Sequence, residues 1–352
     1  MLKPLILRVD RNIVSGSKQL IDKTISILQK HYDLIILPIF EKKDNCCNYK
    51  KINKNNWGCP ELYISSIPND GYISFLGDFT VKDNCFLYTM WESTRLTRHQ
   101  KIECKPFSKI FVPSKWNKIT FEKENFNTEV LPCFVDENIF YRKKRTDQSK
   151  FYFLAGGSDL ISTGNNNRKD FSVLIKLFNK LFKDKNDVGL KIKLSDSDYN
   201  SRKLILGDKT EYHGYIKSEN DYSDFLNTCD AFVSMSKSEG WGFMQIENLA
   251  VGNALVSPLY SGLTEFANIE NSFAVEYEED IAFGSWGSGG GMWANIKEES
   301  LEEQLLNVYN KRDEIRHKAS FYSDSVLSKF SLKRYEENLI KIIEDNYSFY
   351  IQ

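Results

Sequence analysis

Residues 231–267 read AFVSMSKSEGWGFMQIENLAVGNALVSPLYSGLTEFA. An apolar run ending at Met235 has the length and composition of a buried strand. Gly240 and Gly242 then permit a turn whose backbone adopts positive φ and approaches a ligand closely. The pattern next predicts a helix from Phe243 to Val251 and a second strand over 254–257. Strand, helix and strand in succession form one crossover of a parallel, doubly wound sheet. The first amides of the helix beginning at Phe243 offer a site for anionic oxygens. Glu239 stands just before that helix and Glu247 one turn inside it, so both carboxylates can flank one site. Carboxylates accept from hydroxyl pairs and repel phosphate, which suits them to the neutral part of such a ligand.

Outward from this stretch the alternation continues. Strands are predicted at 151–155 and 190–194, and helices at 170–182 and 222–227. Nearer the start, strands are predicted at 5–9, 34–39, 73–76, 86–89 and 109–113. Leu20, Ile21, Ile25 and Leu28 give residues 18–30 a helical period, and residues 331–347 repeat that period with Leu332, Tyr335, Leu339 and Ile342. Residues 41–56 lack periodicity and read as a surface insertion, and the basic run 141–150 reads as a linker. The expected fold is α/β with two Rossmann-like doubly wound domains facing across a cleft, at 1–142 and 150–330.

Composition excludes several classes. Hydrophobic residues make up 41% of the 352 and the formal net charge is −1, which argues against disorder and against nucleic acid as a partner. No run of about 18 apolar residues occurs, and MLKPLILRVD turns polar too early for a signal peptide, so the chain is expected to stay in the cytosol. The seven cysteines form no C-x-x-C pair and read as reduced thiols, with no metal site. The basic residues 142–145 would permit weak association with an anionic membrane surface, although an exposed linker accounts for them as well.

The elements quoted from 231–267 resemble the donor-binding signature of glycosyltransferase family 4, the large retaining GT-B family. The shared pattern is Ser-x-x-Glu-Gly-x-Gly ending at Gly242, a second Glu eight residues after Glu239, Ala-x-Gly at 250–252 and Ser-Gly-x-x-Glu at 261–265. The resemblance implies a metal-independent enzyme of glycan biosynthesis with no cofactor. Its donor would be a UDP-, GDP- or ADP-linked sugar, and its acceptor a carbohydrate or lipid-linked molecule, with retention of configuration. It assigns Glu239 to hydroxyls of the donor sugar and Glu247 to the ribose. Gly240, Gly242, Phe243, Ser261, Gly262 and Leu263 would line the diphosphate, and Tyr215 and Ile216 the base. Lys169 matches the family lysine that grips the diphosphate. The family arginine is missing, because Gly156, Gly157 and Ser158 stand in its place, and Arg168 is the substitute cation. In the first half, Trp91-Glu92 and Val112-Pro113-Ser114 resemble acceptor-domain landmarks, with Glu92 the catalytic candidate there. Gly16 remains from the family's first glycine pair, and residues 331–352 resemble its final helix, which packs back on the N-terminal domain.

Two alternatives stay open at this level. Asp196-Ser197-Asp198 matches the D-x-D triplet with which GT-A transferases bind a divalent metal, and the missing arginine is compatible with an inactive GT-B protein that only binds carbohydrate or nucleotide. A dinucleotide-dependent oxidoreductase is disfavoured, since no strand is followed by G-x-G-x-x-G.

Overall fold

The computed structural model describes residues 2–9, 16–39, 59–65, 82–145, 149–157, 168–202, 204–283 and 290–347. The chain divides into two compact units. Unit 1 is Met1–Phe134, Gly284–Gly291 and Lys333–Gln352, and unit 2 is Val135–Phe283 and Met292–Leu332. The predicted strand at 73–76 and insertion at 41–56 lie outside the described residues.

Unit 1 runs β1 (Lys3–Val9), α1 (Gly16–His31), β2 (Tyr32–Pro38), β3 (Glu61–Ile64), β4 (Lys82–Tyr88), α2 (Arg98–Cys104), β5 (Phe107–Val112), α3 (Lys115–Glu122) and β6 (Thr128–Val130). The strands are all parallel in the order β2-β1-β3-β4-β5-β6. Leu5, Leu7, Leu87 and Val112 are almost wholly buried, as expected of a parallel sheet covered on both faces.

Unit 2 runs β7 (Phe151–Gly156), α4 (Phe171–Leu181), β8 (Val188–Lys193), α5 (Asp196–Arg202), β9 (Thr210–His213), α6 (Glu219–Leu226), β10 (Ala231–Val233), α7 (Phe243–Ala250) and β11 (Ala254–Ser257). A 3-10 turn (Ser261–Glu265), β12 (Ser272–Ala274), the antiparallel pair β13 (Tyr277–Ile281) and β14 (Met292–Ile296), and helices α8 (Glu298–Asn310), α9 (Arg312–His317) and α10 (Ala319–Phe330) complete it. Its sheet has the order β12-β11-β10-β7-β8-β9, all parallel. That is the doubly wound Rossmann order, and the direction of winding reverses between β7 and β10. Asp170 caps α4 by accepting from the amides of Ser172 and Val173 at 3.2 and 3.4 Å. The apolar face of that helix delivers Phe178 onto Phe153 and Phe182, with ring centroids 5.5 and 4.7 Å apart. Truncating a buried Phe in such a cluster costs about 3–5 kcal/mol.

The last helix, α11 (Leu332–Tyr347), belongs to unit 1 from Lys333 onward. Its Tyr335 hydroxyl lies 2.8 Å from Thr24 Oγ1 on α1, and its ring packs on Phe134 with centroids 4.9 Å apart. Where the chain enters and leaves unit 2 it pairs with itself: the Val135 amide donates to Phe330 O at 2.8 Å and the Leu332 amide to Val135 O at 3.1 Å. Among the described residues no helix is long and apolar enough to cross a membrane, and Cys59, Cys85, Cys104, Cys133 and Cys229 are free and buried.

Candidate functional site

In an open parallel sheet, ligands bind outside the carboxyl ends of the strands where the winding reverses. In unit 2 this selects the segments following β7 and β10. The first returns through Arg168 and Lys169, and the second is the turn 234–242. The two are stitched together: Lys169 and Ser236 form an antiparallel bridge, and the Lys237 amide donates to Arg168 O at 2.9 Å.

That pairing brings three charged side chains into one buried group. Lys169 Nζ lies 2.8 Å from Glu239 Oε1, and Arg168 Nη1 lies 3.2 Å from Glu239 Oε2. The same Nη1 donates to Ser238 O at 2.5 Å and to Ser236 Oγ at 3.3 Å, which fixes the guanidinium against the turn. Burial alone would raise the carboxyl pKa of Glu239, but Lys169 and Arg168 outweigh it and hold the group at about 2. Glu239 is therefore ionised, and two cations share its single charge.

The backbone around Glu239 is fixed from the far side of the turn. Its amide donates to Ser261 Oγ at 2.9 Å, and its carbonyl accepts from the Gly262 amide at 2.9 Å. Ser261 has φ 60°, a conformation that costs a non-glycine residue on the order of 1 kcal/mol and is imposed by the surrounding contacts. A side chain at Gly262 would collide with the Gly240 carbonyl, so close backbone approach dictates glycine there. Likewise Gly157 has φ 135°, and a Cβ on it would stand 2.7 Å from Lys169 Nζ. Glycine at the end of β7 thus makes room for the lysine. Helix α7 starts directly after the turn, at Gly242, with no side-chain cap on its first amides. Leu263 is buried against Gly242, and Phe243 opens the helix.

Glu247 occupies a different environment. It is buried on α7, where burial pushes its carboxyl up to about 8 against the opposing pull of Lys193 and of the nearby Tyr222 hydroxyl. Lys193, the last residue of β8, is lowered by burial in turn, and its Nζ stands over the Tyr222 ring 4.9 Å from the centroid. Lys193 and Tyr222 escaped the sequence reading. The place of Lys193 at the carboxyl end of a strand next to the reversal point was the signal for it, while nothing in the sequence distinguished Tyr222 from a core tyrosine. Tyr215 is 70% exposed after β9, with Ile216 half-buried beside it.

The remaining predicted residues lie elsewhere. Gly16 opens α1 and Glu92 follows β4, both in unit 1. Ser114 is fully buried as the cap of α3, accepting from the Asn117 amide at 3.2 Å. Asp196 and Asp198 form the first turn of α5. Asp196 accepts from the Tyr212 hydroxyl at 2.5 Å and Asp198 from Ser195 Oγ at 2.8 Å, so these acids are engaged in starting a helix. Among the described residues no group of three or more His, Cys, Asp and Glu side chains could hold a metal ion.

Residues 157–281, a little over a third of the chain, match the family described as glycosyl transferases group 1. No curated protein matches the sequence. Among solved structures, a sucrose-phosphate synthase from Thermosynechococcus elongatus superposes with a TM-score of 0.71 at 11% identity, covering 98% of this chain and 99% of its own. An α,α-trehalose-phosphate synthase (UDP-forming) from Burkholderia vietnamiensis gives 0.64 at 8% identity, over 99% and 98% of the two chains. WaaG, a glycosyltransferase involved in lipopolysaccharide biosynthesis, gives 0.62 at 10% identity, over 97% and 99%. The fold is that of the GT-B, group 1 glycosyltransferases, two Rossmann-like α/β domains, and the GT-A alternative built on Asp196 and Asp198 loses its scaffold.

Proposed function

We propose that this chain is a retaining glycosyltransferase of the family 4 kind, which takes a nucleoside-diphosphate sugar on unit 2 and transfers the sugar to a carbohydrate or lipid-linked acceptor held by unit 1 through Glu92. The observation that carries this reading is the buried group of Arg168, Lys169 and Glu239 at the reversal point of the unit 2 sheet, beside the uncapped start of α7. A diphosphate brings further negative charge to the two cations that flank Glu239. On binding, its oxygens replace Glu239 as the partner of Lys169 and Arg168 and accept from the first amides of α7. Glu239, released, accepts hydroxyls of the sugar. As the glycosidic bond to the diphosphate stretches, negative charge grows on the leaving oxygen, where fixed cations and amides are already aimed. That oxygen takes the proton of the attacking acceptor hydroxyl, so the sugar is transferred on one face without a covalent enzyme intermediate.

Glu247 is assigned to the ribose. A neutral carboxyl can donate one hydrogen bond to the diol and accept another, with Lys193 and Tyr222 holding it in place. The exposed ring of Tyr215 and the half-buried Ile216 are assigned to the base. Neither a metal nor a cofactor has a step in this scheme, and the enzyme would work in the cytoplasm.

The test is a thermal-shift panel of UDP, GDP and ADP and their sugars. One base should raise Tm more than the others, and Lys169→Ala should abolish that preference. A panel in which no nucleotide acts on the wild type removes the donor site. Binding without hydrolysis or transfer would instead identify a GT-B protein that has lost its chemistry.

A further inference from the structure

Unit 2 has a second concentration of charge at the amino-terminal ends of its strands, the end away from Glu239. A cavity of about 570 Å³ opens there, lined by Arg142, Lys143, Lys144, Arg145 and Arg316 and by one carboxylate, Asp230. Asp230 immediately precedes β10, and Arg316 Nη2 donates at 2.7 Å to the carbonyl of Lys150, the residue before β7. The volume falls in the range of small-molecule sites, roughly 300–1,000 Å³, and exceeds what a single inorganic ion fills.

Among the described residues the lining carries more cations than carboxylates. Asp230 is paired with Arg145 and Arg316, and Asp224 with Lys143, which leaves a cationic excess in the lining. Lys144 makes no ion pair among the described residues and Arg142 is exposed, held to Ser320 Oγ at 2.6 Å. A structural use for such residues would be to cap the negative carboxyl ends of α6 and α7, both of which terminate here. Neutral groups already do this: Asn227 donates to Ser223 O at 3.0 Å, Asn253 to Leu226 O at 3.0 Å and Ser323 to Ala250 O at 2.6 Å. Val251, Ile315 and Ala319 add an apolar wall. The opening thus combines spare cations, room for an organic skeleton and a surface for it to rest on.

We infer that this cavity is a second binding site of unit 2, which takes an organic anion carrying more than one phosphate charge. The ligand is either a free phosphorylated small molecule or the headgroup of an anionic lipid, since both present the same oxygens to Arg142 and Lys144.

Titration calorimetry on the full chain tests this with pyrophosphate, with fructose 1,6-bisphosphate, and with phosphatidylcholine vesicles with and without phosphatidylglycerol. Wild type should bind pyrophosphate at two sites. Lys169→Ala should remove one, and the double variant Arg142→Gln/Lys144→Gln should weaken the other at least about tenfold. If the double variant weakens fructose 1,6-bisphosphate, the ligand is a soluble one. If it weakens only the phosphatidylglycerol vesicles, the cavity takes a headgroup. A double variant that binds every probe as the wild type does overturns the proposal and leaves the donor site standing. Should the double variant fail to fold, Lys144→Gln alone carries the test with a loss of about threefold, and no loss there overturns it equally.

Discussion

Unit 2 contains the same charge motif twice, a buried carboxylate clasped by two cations, once at each end of its sheet. Glu239 with Arg168 and Lys169 stands at the carboxyl ends of the strands, and Asp230 with Arg145 and Arg316 at the amino ends. The difference lies in what else the carboxylate holds. Asp230 accepts from the Tyr152 amide at 2.8 Å, its own amide donates to Tyr152 O at 2.8 Å, and its carbonyl accepts from the Ala254 amide at 3.0 Å, so it fastens β7, β10 and β11 together. Glu239 has its main chain tied to the 3-10 turn, while its carboxylate faces Arg168 and Lys169. One triad is a rivet in the framework. The other is a set of charges whose carboxylate, in the proposed function, exchanges its partners for those of the ligand.

Asp230→Asn should expose this contrast most strongly. It strands two partly buried arginines and should cost about 3 kcal/mol or more in urea denaturation. Equal stability of variant and wild type would show that the amino-end triad is not structural.

Glu239→Gln should cost less, about 2 kcal/mol, because its stranded cations can be met by a ligand. The nucleoside diphosphate should restore that loss and bind at least as tightly as to the wild type, while turnover of the nucleotide sugar falls at least about tenfold, or 1.4 kcal/mol of barrier. Weaker binding of the nucleoside diphosphate to this variant would contradict the exchange of partners.

The smallest effects are in the pH profile of stability. The Glu239 pKa is lowered from 4.5 to about 2, so its contribution is complete above pH 4.5 and is lost as pH falls toward 2. The Glu247 pKa is raised from 4.5 to about 8, so its contribution is complete below pH 4.5 and drains away as pH rises toward 8. Glu247→Gln should therefore flatten the decline between about pH 5 and 8, by at least about 2 °C in Tm, without changing the acid flank. An unaltered slope in a pH series of thermal melts would remove the buried, neutral carboxyl.

Much of unit 2 was legible because its strands are buried on both faces and read as unbroken apolar runs, as in 151–155 and 254–257. Short strands were not: Glu61–Ile64 and Thr128–Val130 are only four and three residues long and carry no periodicity of their own. The strand predicted to reach Met235 ends at Val233, because the turn carrying Arg168's partners begins there. Asp196 and Asp198 were open to a metal reading because spacing alone does not separate a ligand pair from a helix start, although Ser195 ahead of Asp198 was the capping signal. Glu239 and Lys169 could be singled out from glycine spacing and resemblance. Their mutual ion pair could not, since it depends on how the segment before α4 folds back onto the turn after β10. The basic run 142–145 looked like solvated linker for a similar reason. Its counter-charges, Asp224 and Asp230, lie some eighty residues further along the chain.

The self-pairing of the chain at Val135 and Leu332 has a consequence for how the molecule is assembled. The first and last residues of unit 2, Val135 and Leu332, are clasped to each other within its own boundaries. Bringing together two chain points almost two hundred residues apart costs on the order of 5 kcal/mol in entropy, and the clasp makes that a cost of folding unit 2. The expected order is that unit 2 folds first and the final helix docks on α1 afterwards. In pulsed hydrogen exchange during refolding, the amides of Leu332–Tyr347 should gain protection after those of the unit 2 sheet, and the opposite order would show that the clasp does not direct assembly.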